Sequence, residues 1–269
     1  MFRRTIIFFT FLLIAVPQFA SAAPNNGSPP IAAITPSPTP PIQTPAPIPT
    51  PAPAPSPAPS PIPIPTPIPD PPLPDPTKLT YTKFALTFDD GPSPNFTPQV
   101  ISILDKFGAH GTFFILGDNF TQYPKLIQQI TEQGNEIAAH SMTHPDPDYL
   151  SNSELDYEIT ASVAILQETS GQPVHYFRAP YGKSNYIYTK KAAELAVKIV
   201  NWTVDPRDWS GISSDIIAER VLDHLAPGCI VLLHDGGGYR QKTVDALEII
   251  LSEANARGYQ SVTLSNLGI

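Results

Sequence analysis

Beyond residue 77, short apolar runs alternate with longer amphipathic stretches. Seven of the apolar runs are predicted to be strands: residues 83–88, 111–116, 135–139, 175–179, 198–204, 229–234 and 259–264. Residues 97–108, 151–171 and 243–258 have helical boundaries or helical spacing. Alternation of this kind is typical of a parallel α/β fold, and nearly continuous apolar strands fit a sheet covered on both faces. The pattern leaves a barrel and an open doubly wound sheet as alternatives.

The first residues of the chain have a different pattern, typical of an export signal. Arg3 and Arg4 precede an apolar run at residues 5–16, and the small residues Ala-Ser-Ala occupy 20–22. This arrangement predicts a secretory signal peptide over residues 1–22. An uncleaved segment acting as a membrane tether is the alternative. Both interpretations place the rest of the protein outside the cytoplasm, as a secreted, cell-envelope or cell-wall protein.

Residues 23–77 hold most of the 35 prolines and no aromatic residue. Such a segment cannot bury enough apolar surface to fold, and alternating proline favours an extended conformation. We therefore expect a disordered, proline-rich spacer here and one folded domain over residues 78–269.

Charge and cysteine content exclude one class of partner and one kind of crosslink for that domain. The chain has a net charge of −8 and no cluster of lysine or arginine in the predicted domain, which argues against nucleic acid as a partner. Cys229 is the single cysteine, so no disulfide can form within the chain. We expect a monomer.

Ionisable residues follow five of the predicted strands. They are Asp89 and Asp90 after the first, His140 and His144 after the third, Arg178 after the fourth, Asp205 and Asp208 after the fifth, and His234 and Asp235 after the sixth. Sites in α/β folds form at the carboxyl ends of strands. The pattern therefore predicts that these groups meet at one end of the sheet.

Two of these segments suggest a metal site. If the segment His-Ser-Met-Thr-His is helical, His140 and His144 project from one face. With Asp89 or Asp90 they form a His-His-Asp set with open positions, typical of a catalytic metal. The remaining carboxylate is then free to handle protons, while Gly91 permits the sharp turn. Such ligands suit zinc and also accept cobalt, nickel or iron.

Five segments together resemble the motifs of the polysaccharide deacetylase family, also called carbohydrate esterase family 4. They are TFDDGP, HSMTH, RAPYG, DPRDW and LLHD, in this order. The resemblance implies a distorted, incomplete (β/α)7-type barrel, the NodB homology domain.

The resemblance also implies a role for each matching residue. Asp90, His140 and His144 would bind the metal, with Asp89 as the general base and His234 as the general acid. Arg178 would orient the base, and Asp208 would orient the acid. The Tyr181 N–H would stabilise the oxyanion, and the substrate pocket would be formed by Trp209, Leu232 and Pro180. Outside these assignments, we expect Trp202 in the core, Asp235 in a turn, and Tyr186 and Tyr188 in helix packing.

These features predict a zinc-dependent hydrolase that removes N-acetyl groups from a polysaccharide containing N-acetylglucosamine. Peptidoglycan is the expected substrate, because an export signal and a long spacer suit a wall-associated enzyme. A chitooligosaccharide deacetylase and a xylan O-acetyl esterase are alternatives that use the same groups. A non-catalytic wall-binding module is the alternative from another class.

Overall fold

A computed structural model of the chain describes residues 81–269. The predicted signal peptide (1–22) and spacer (23–77) lie outside the described residues and stay predictions. Within residues 81–269, no helix combines the length and the apolar character needed to cross a membrane.

Seven parallel strands form one sheet, and each falls in a predicted apolar run. They are β1 (Thr82–Asp89), β2 (Gly111–Ile115), β3 (Glu136–Ala139), β4 (Tyr176–Phe177), β5 (Lys198–Ile199), β6 (Ile230–His234) and β7 (Tyr259–Ser261). The fourth and fifth are much shorter than predicted, because the chain leaves the sheet early and continues as loops at its carboxyl end.

The sheet curls into an incomplete barrel. Its strand order is β5-β4-β3-β2-β1-β6, and β7 pairs with the first residues of β1. A single parallel bridge between Val204 and Val231 joins the segment after β5 to β6, so the two sides of the curled sheet approach each other. This arrangement confirms the incomplete barrel and excludes the open doubly wound sheet.

Helices connect the strands. They are α1 (Thr97–Lys106), α2 (Pro124–Glu132), α3 (Asn152–Ser170), α4 (Tyr186–Glu194), α5 (Ser214–Asp223), α6 (Gln241–Ala256) and α7 (Leu264–Leu267). The predicted helical stretches correspond to α1, α3 and α6. The predicted stretches do not include α2, α4, α5 or α7, although Ser213 caps α5 by accepting a hydrogen bond from the Ile216 N–H.

The central strand β1 separates two environments. Leu86 and Phe88 point outward and pack in the large core beneath the helices. Ala85 points inward and packs in the smaller core inside the curl. Because side chains alternate along a strand, Thr87 and Asp89 also point inward. The strand therefore carries the Asp89 carboxylate to the inner, carboxyl end of the barrel.

We expect Phe88→Ala to destabilise the fold strongly. Phe88 is fully buried and stacks on Phe113 with ring centroids 4.9 Å apart. Its truncation should lower the free energy of unfolding by about 3–5 kcal/mol, measured by denaturant unfolding. The exposed Tyr157 on α3 supplies the control, since Tyr157→Ala should change that free energy by less than about 0.5 kcal/mol. Equal effects of the two substitutions would contradict this account of the core.

Candidate active site

A cavity of about 420 Å³ opens at the carboxyl end of the sheet. It is lined by Asp89, Asp90, His140, His144, Ala179, Tyr181, Trp202, Asp205, Trp209, Leu232, His234 and Arg240. A polar depression of similar volume, about 440 Å³, lies at the other end of the sheet around Glu136 and His175. Within residues 81–269, the cluster of side chains that could hold a metal ion lines the first cavity, which is therefore the candidate active site.

Asp90, His140 and His144, the predicted metal ligands, lie together and could hold a metal ion. Their ligand atoms all lie within 4.8 Å of one another. The Asp90 Oδ1 atom is 3.5 Å from His140 Nε2 and 3.6 Å from His144 Nε2. This oxygen is buried and has no hydrogen-bond partner, which is costly unless a cation satisfies it. Two imidazoles and a carboxylate therefore fit a divalent metal ion.

His140 is held in the form that can bind a metal. Its Nδ1 lies 2.8 Å from the Arg178 carbonyl oxygen. The carbonyl can only accept, so Nδ1 carries the proton and Nε2 keeps its lone pair. Burial lowers the pKa of His140, against the opposing charges of Asp89 and Asp90, and this favours the neutral imidazole.

The histidine segment is a loop, so the condition that it forms a helical turn is not met. Ser141 has a φ of 66° and His144 a φ of 56°, both in the left-handed region. The loop nevertheless brings the imidazoles of His140 and His144 together, with ring centroids 5.0 Å apart. Loop geometry, and not helical spacing, therefore produces the ligand pair.

Asp89 and Asp90 are adjacent but face different partners. Asp89 is almost fully buried and accepts a 2.7 Å hydrogen bond from Arg178 Nη1. Its other oxygen is 3.7 Å from His140 Nε2. Asp90 has a φ of 69°, and this left-handed turn directs its carboxylate toward the histidines. The backbone thus separates the carboxylate held by arginine from the carboxylate that faces the two histidines.

Arg178 is a fully buried cation inside the curl of the sheet. Besides Asp89, it donates to Thr87 Oγ1 at 2.8 Å and to the Val200 carbonyl oxygen at 3.0 Å. Its guanidinium carbon lies 3.9 Å from the ring centroid of Phe114. Burial lowers the pKa of Arg178, but arginine stays charged in proteins, so the Asp89 carboxylate faces a buried positive charge.

His234 is paired with Asp208, as predicted. The His234 Nδ1 atom lies 2.8 Å from Asp208 Oδ1, while the His234 N–H donates to Asp208 Oδ2. Thr243 Oγ1 also donates to Oδ2, at 2.9 Å. Burial alone lowers the pKa of His234, but the hydrogen bond and charge of Asp208, with the charges of Asp89 and Asp90, outweigh it and raise that pKa.

The predicted pocket residues divide into two groups. Tyr181, Trp209 and Leu232 line the cavity. Tyr181 has a φ of 57°, and its ring lies against His144 with centroids 4.8 Å apart. Pro180 is buried and does not line the cavity, so the geometry does not support a substrate contact for it.

Trp202 packs against the smaller core, as expected, and it also lines the cavity, which was not predicted. The predicted strand 198–204 ends at Ile199, so Trp202 lies in the loop beyond the sheet and faces the cavity. A Cβ on Gly182 would lie 2.9 Å from its ring, so a glycine permits this packing. Arg240 also lines the cavity and was not predicted to, because it belongs to none of the five motifs.

Asp235 was expected only to form a turn, but it is also buried against the active-site segment. It is fully buried, accepts a hydrogen bond from Thr97 Oγ1, and its Oδ1 has no partner. Burial raises the pKa of Asp235 to about 7. A Cβ on Gly91 would lie 2.3 Å from Asp235 Oδ1. Asp235 therefore packs directly against the turn that carries Asp90.

Known proteins are similar to this chain in sequence and in fold. The family model described as polysaccharide deacetylase matches residues 78–200. A peptidoglycan-N-acetylglucosamine deacetylase of Bacillus cereus is 38% identical over 185 residues, covering 68% of this chain and 86% of the relative. A chitooligosaccharide deacetylase of Sinorhizobium fredii is 37% identical, also over 185 residues, covering 65% of this chain and 86% of that protein.

A solved structure of peptidoglycan deacetylase PdaC from Bacillus subtilis is also similar. Its TM-score is 0.65 at 33% identity, over 70% of this chain and 91% of that chain. The sequence similarity, the shared barrel and the His-His-Asp set agree with one another. The chain therefore belongs to the polysaccharide deacetylase family, the metal-dependent hydrolases that remove N-acetyl groups from polysaccharides.

Proposed function

We propose that this enzyme removes N-acetyl groups from peptidoglycan outside the cytoplasm, with Zn²⁺ as its metal. One observation carries the proposal: a single cavity joins the Asp90–His140–His144 set, Asp89 paired with Arg178, and His234 paired with Asp208. The names of the bacterial relatives support the substrate. The predicted export signal and spacer support the location.

Asp89 is the general base. One oxygen of its carboxylate accepts from Arg178 Nη1, which orients the group, and its second oxygen lies 3.7 Å from His140 Nε2. It accepts a proton from the attacking water. When bound to Asp90, His140 and His144, a divalent ion supplies Lewis-acid chemistry, lowering the pKa of water and polarising the acetyl carbonyl.

His234 is the general acid. Because Nδ1 is bound to Asp208, Nε2 is the nitrogen free to donate a proton to the leaving amine. The raised pKa keeps the imidazole protonated to higher pH than an ordinary histidine. Asp208 therefore fixes both the orientation and the charge of the acid.

Four further cavity residues hold the acetyl group. The Tyr181 backbone N–H stabilises negative charge that develops on the carbonyl oxygen. Trp209 and Leu232 wall the space for the methyl group, and Trp202 adds a second aromatic wall. A fixed donor and an apolar wall together discriminate an acetyl group from a larger acyl group.

Two alternative substrates use the same groups. Chitooligosaccharides are the first, supported by the Sinorhizobium fredii relative, and O-acetylated xylan is the second. A non-catalytic wall-binding module is the alternative of another class, and it conflicts with a cavity that keeps a base, an acid and a ligand set together.

We expect acetate release to depend on metal. The full chain should release acetate from peptidoglycan, lose this activity after treatment with a chelator, and regain it when Zn²⁺ is added. Chitooligosaccharides and acetylated xylan form the rest of the panel, with acetate measured enzymatically. Faster acetate release from chitooligosaccharides or xylan than from peptidoglycan would make that polysaccharide the substrate. No acetate release from any of the three would favour the wall-binding module.

Asp89→Asn should abolish catalysis without removing the metal. The amide cannot accept the proton, so kcat/KM should fall by about 10²–10⁴-fold. Calorimetric titration with Zn²⁺ should still show binding, whereas the matched variant Asp90→Asn should weaken it strongly. Loss of Zn²⁺ binding with activity retained in Asp89→Asn would reverse the roles of the two acids.

Asp208→Asn should shift the pH profile. The acid works only while His234 is protonated, so kcat/KM falls as pH rises through the pKa of His234. Asp208 raises that pKa, and removing its charge should lower it and move the alkaline limb of the profile to lower pH. If the alkaline limb does not move, it reflects the titration of a group other than His234.

A further inference from the structure

The loop formed by residues 141–144, which we call the metal loop, carries His144 and follows His140. Ser141 and His144 both have left-handed backbone conformations, which cost of the order of 1–3 kcal/mol each and persist only where their surroundings hold them. The position of His144 therefore depends on contacts that hold the loop.

Glu158 provides the main contact of this kind. This glutamate lies on α3 and is only 6% exposed. Its Oε2 atom accepts from the N–H groups of Met142 at 2.7 Å and Thr143 at 3.0 Å. Its Oε1 atom accepts from Thr143 Oγ1 at 2.9 Å. Successive backbone amides directed at one carboxylate form an anion-binding concavity, so the bonds from the loop converge on a single side chain.

The opposite side of the metal loop is also held. The carbonyl oxygens of Ser141 and Met142 accept from the N–H groups of Gly117 and Asp118, each at 3.0 Å. A Cβ on Gly117 would lie 2.6 Å from the Met142 Cα. The His144 N–H donates to Ser141 Oγ at 3.1 Å. The loop is therefore held between the segment after β2 and the Glu158 carboxylate.

We propose that Glu158 is a positioning residue of the metal site. By holding the amides of Met142 and Thr143, it keeps the loop in the conformation that places His144 Nε2 near Asp90 Oδ1. Glu158 does not line the cavity and so does not contact substrate. The inference rests on the proposed metal site and is independent of which polysaccharide is the substrate.

The decisive variant is Glu158→Gln, which keeps the shape of the side chain. Its oxygen can still accept from the two N–H groups and its nitrogen can donate to Thr143 Oγ1, but the negative charge is lost, and neutral hydrogen bonds hold the loop less strongly than charge-assisted ones. We expect the dissociation constant for Zn²⁺, measured by calorimetric titration of the metal-free full chain, to rise about 10–100-fold. Circular dichroism confirms that the variant is folded.

Two variants on the same helix separate positioning from general stability. Val163→Ala removes buried packing of α3 and lowers the melting temperature. Glu168→Gln makes the same chemical change at an exposed position. Both should leave the dissociation constant for Zn²⁺ within about twofold of wild type.

Thr143→Val supplies a milder test should Glu158→Gln fold poorly. It removes one hydrogen bond to Glu158 and should raise the dissociation constant for Zn²⁺ by about two- to tenfold. Combined with Glu158→Gln, it should add little, because the two residues act through one contact.

Unchanged Zn²⁺ affinity in folded Glu158→Gln, or in Thr143→Val if the first variant is unfolded, would overturn the proposal. So would an equal loss of affinity in Val163→Ala. If the affinities change as expected but the wild-type chain releases no acetate from any substrate, the positioning role stands and the proposed catalytic function fails.

Discussion

The buried ion pair between Arg178 and Asp89 organises the active site. Removing two charges from water is expensive, and the cost is offset only where geometry and additional hydrogen bonds are good. Here the guanidinium also reaches Thr87 Oγ1 and the Val200 carbonyl oxygen, while the Arg178 carbonyl oxygen accepts from His140. One residue thus orients the proposed base with its side chain and a metal ligand with its backbone.

The same arrangement recurs around the cavity in other forms. Asp208 accepts from the backbone and ring of His234 and from Thr243. Glu158 accepts from two amides and a hydroxyl of the metal loop. In each case a buried carboxylate orients a group that acts at the cavity. Charge-assisted hydrogen bonds suit this role because they are short and directional.

Sequence reasoning succeeded where the signal was local. Apolar runs predicted all seven strands, and the polar groups at their ends converged on one cavity because parallel strands share a direction. It failed where tertiary contacts decide the conformation. The His140–His144 spacing suggested a helix, but contacts with Gly117, Asp118 and Glu158 hold a left-handed loop instead. Trp202 packs against the smaller core as expected, but its second position on the cavity wall was missed, because nothing in the sequence marks the early end of β5.

The strands, their order along the chain and the residue types at their carboxyl ends follow from the amino-acid sequence alone. Hydrophobic periodicity and donor chemistry are properties of short segments, so they can be read without coordinates. Coordinates were needed to tell which of two adjacent aspartates faces Arg178 and which faces the histidines. The packing of distant segments settled this. It also decided that Asp235 is buried, that Pro180 is outside the cavity and that Glu158 holds the metal loop. These outcomes depend on distances between segments far apart in the chain, which arise only when the sheet curls and brings those segments together.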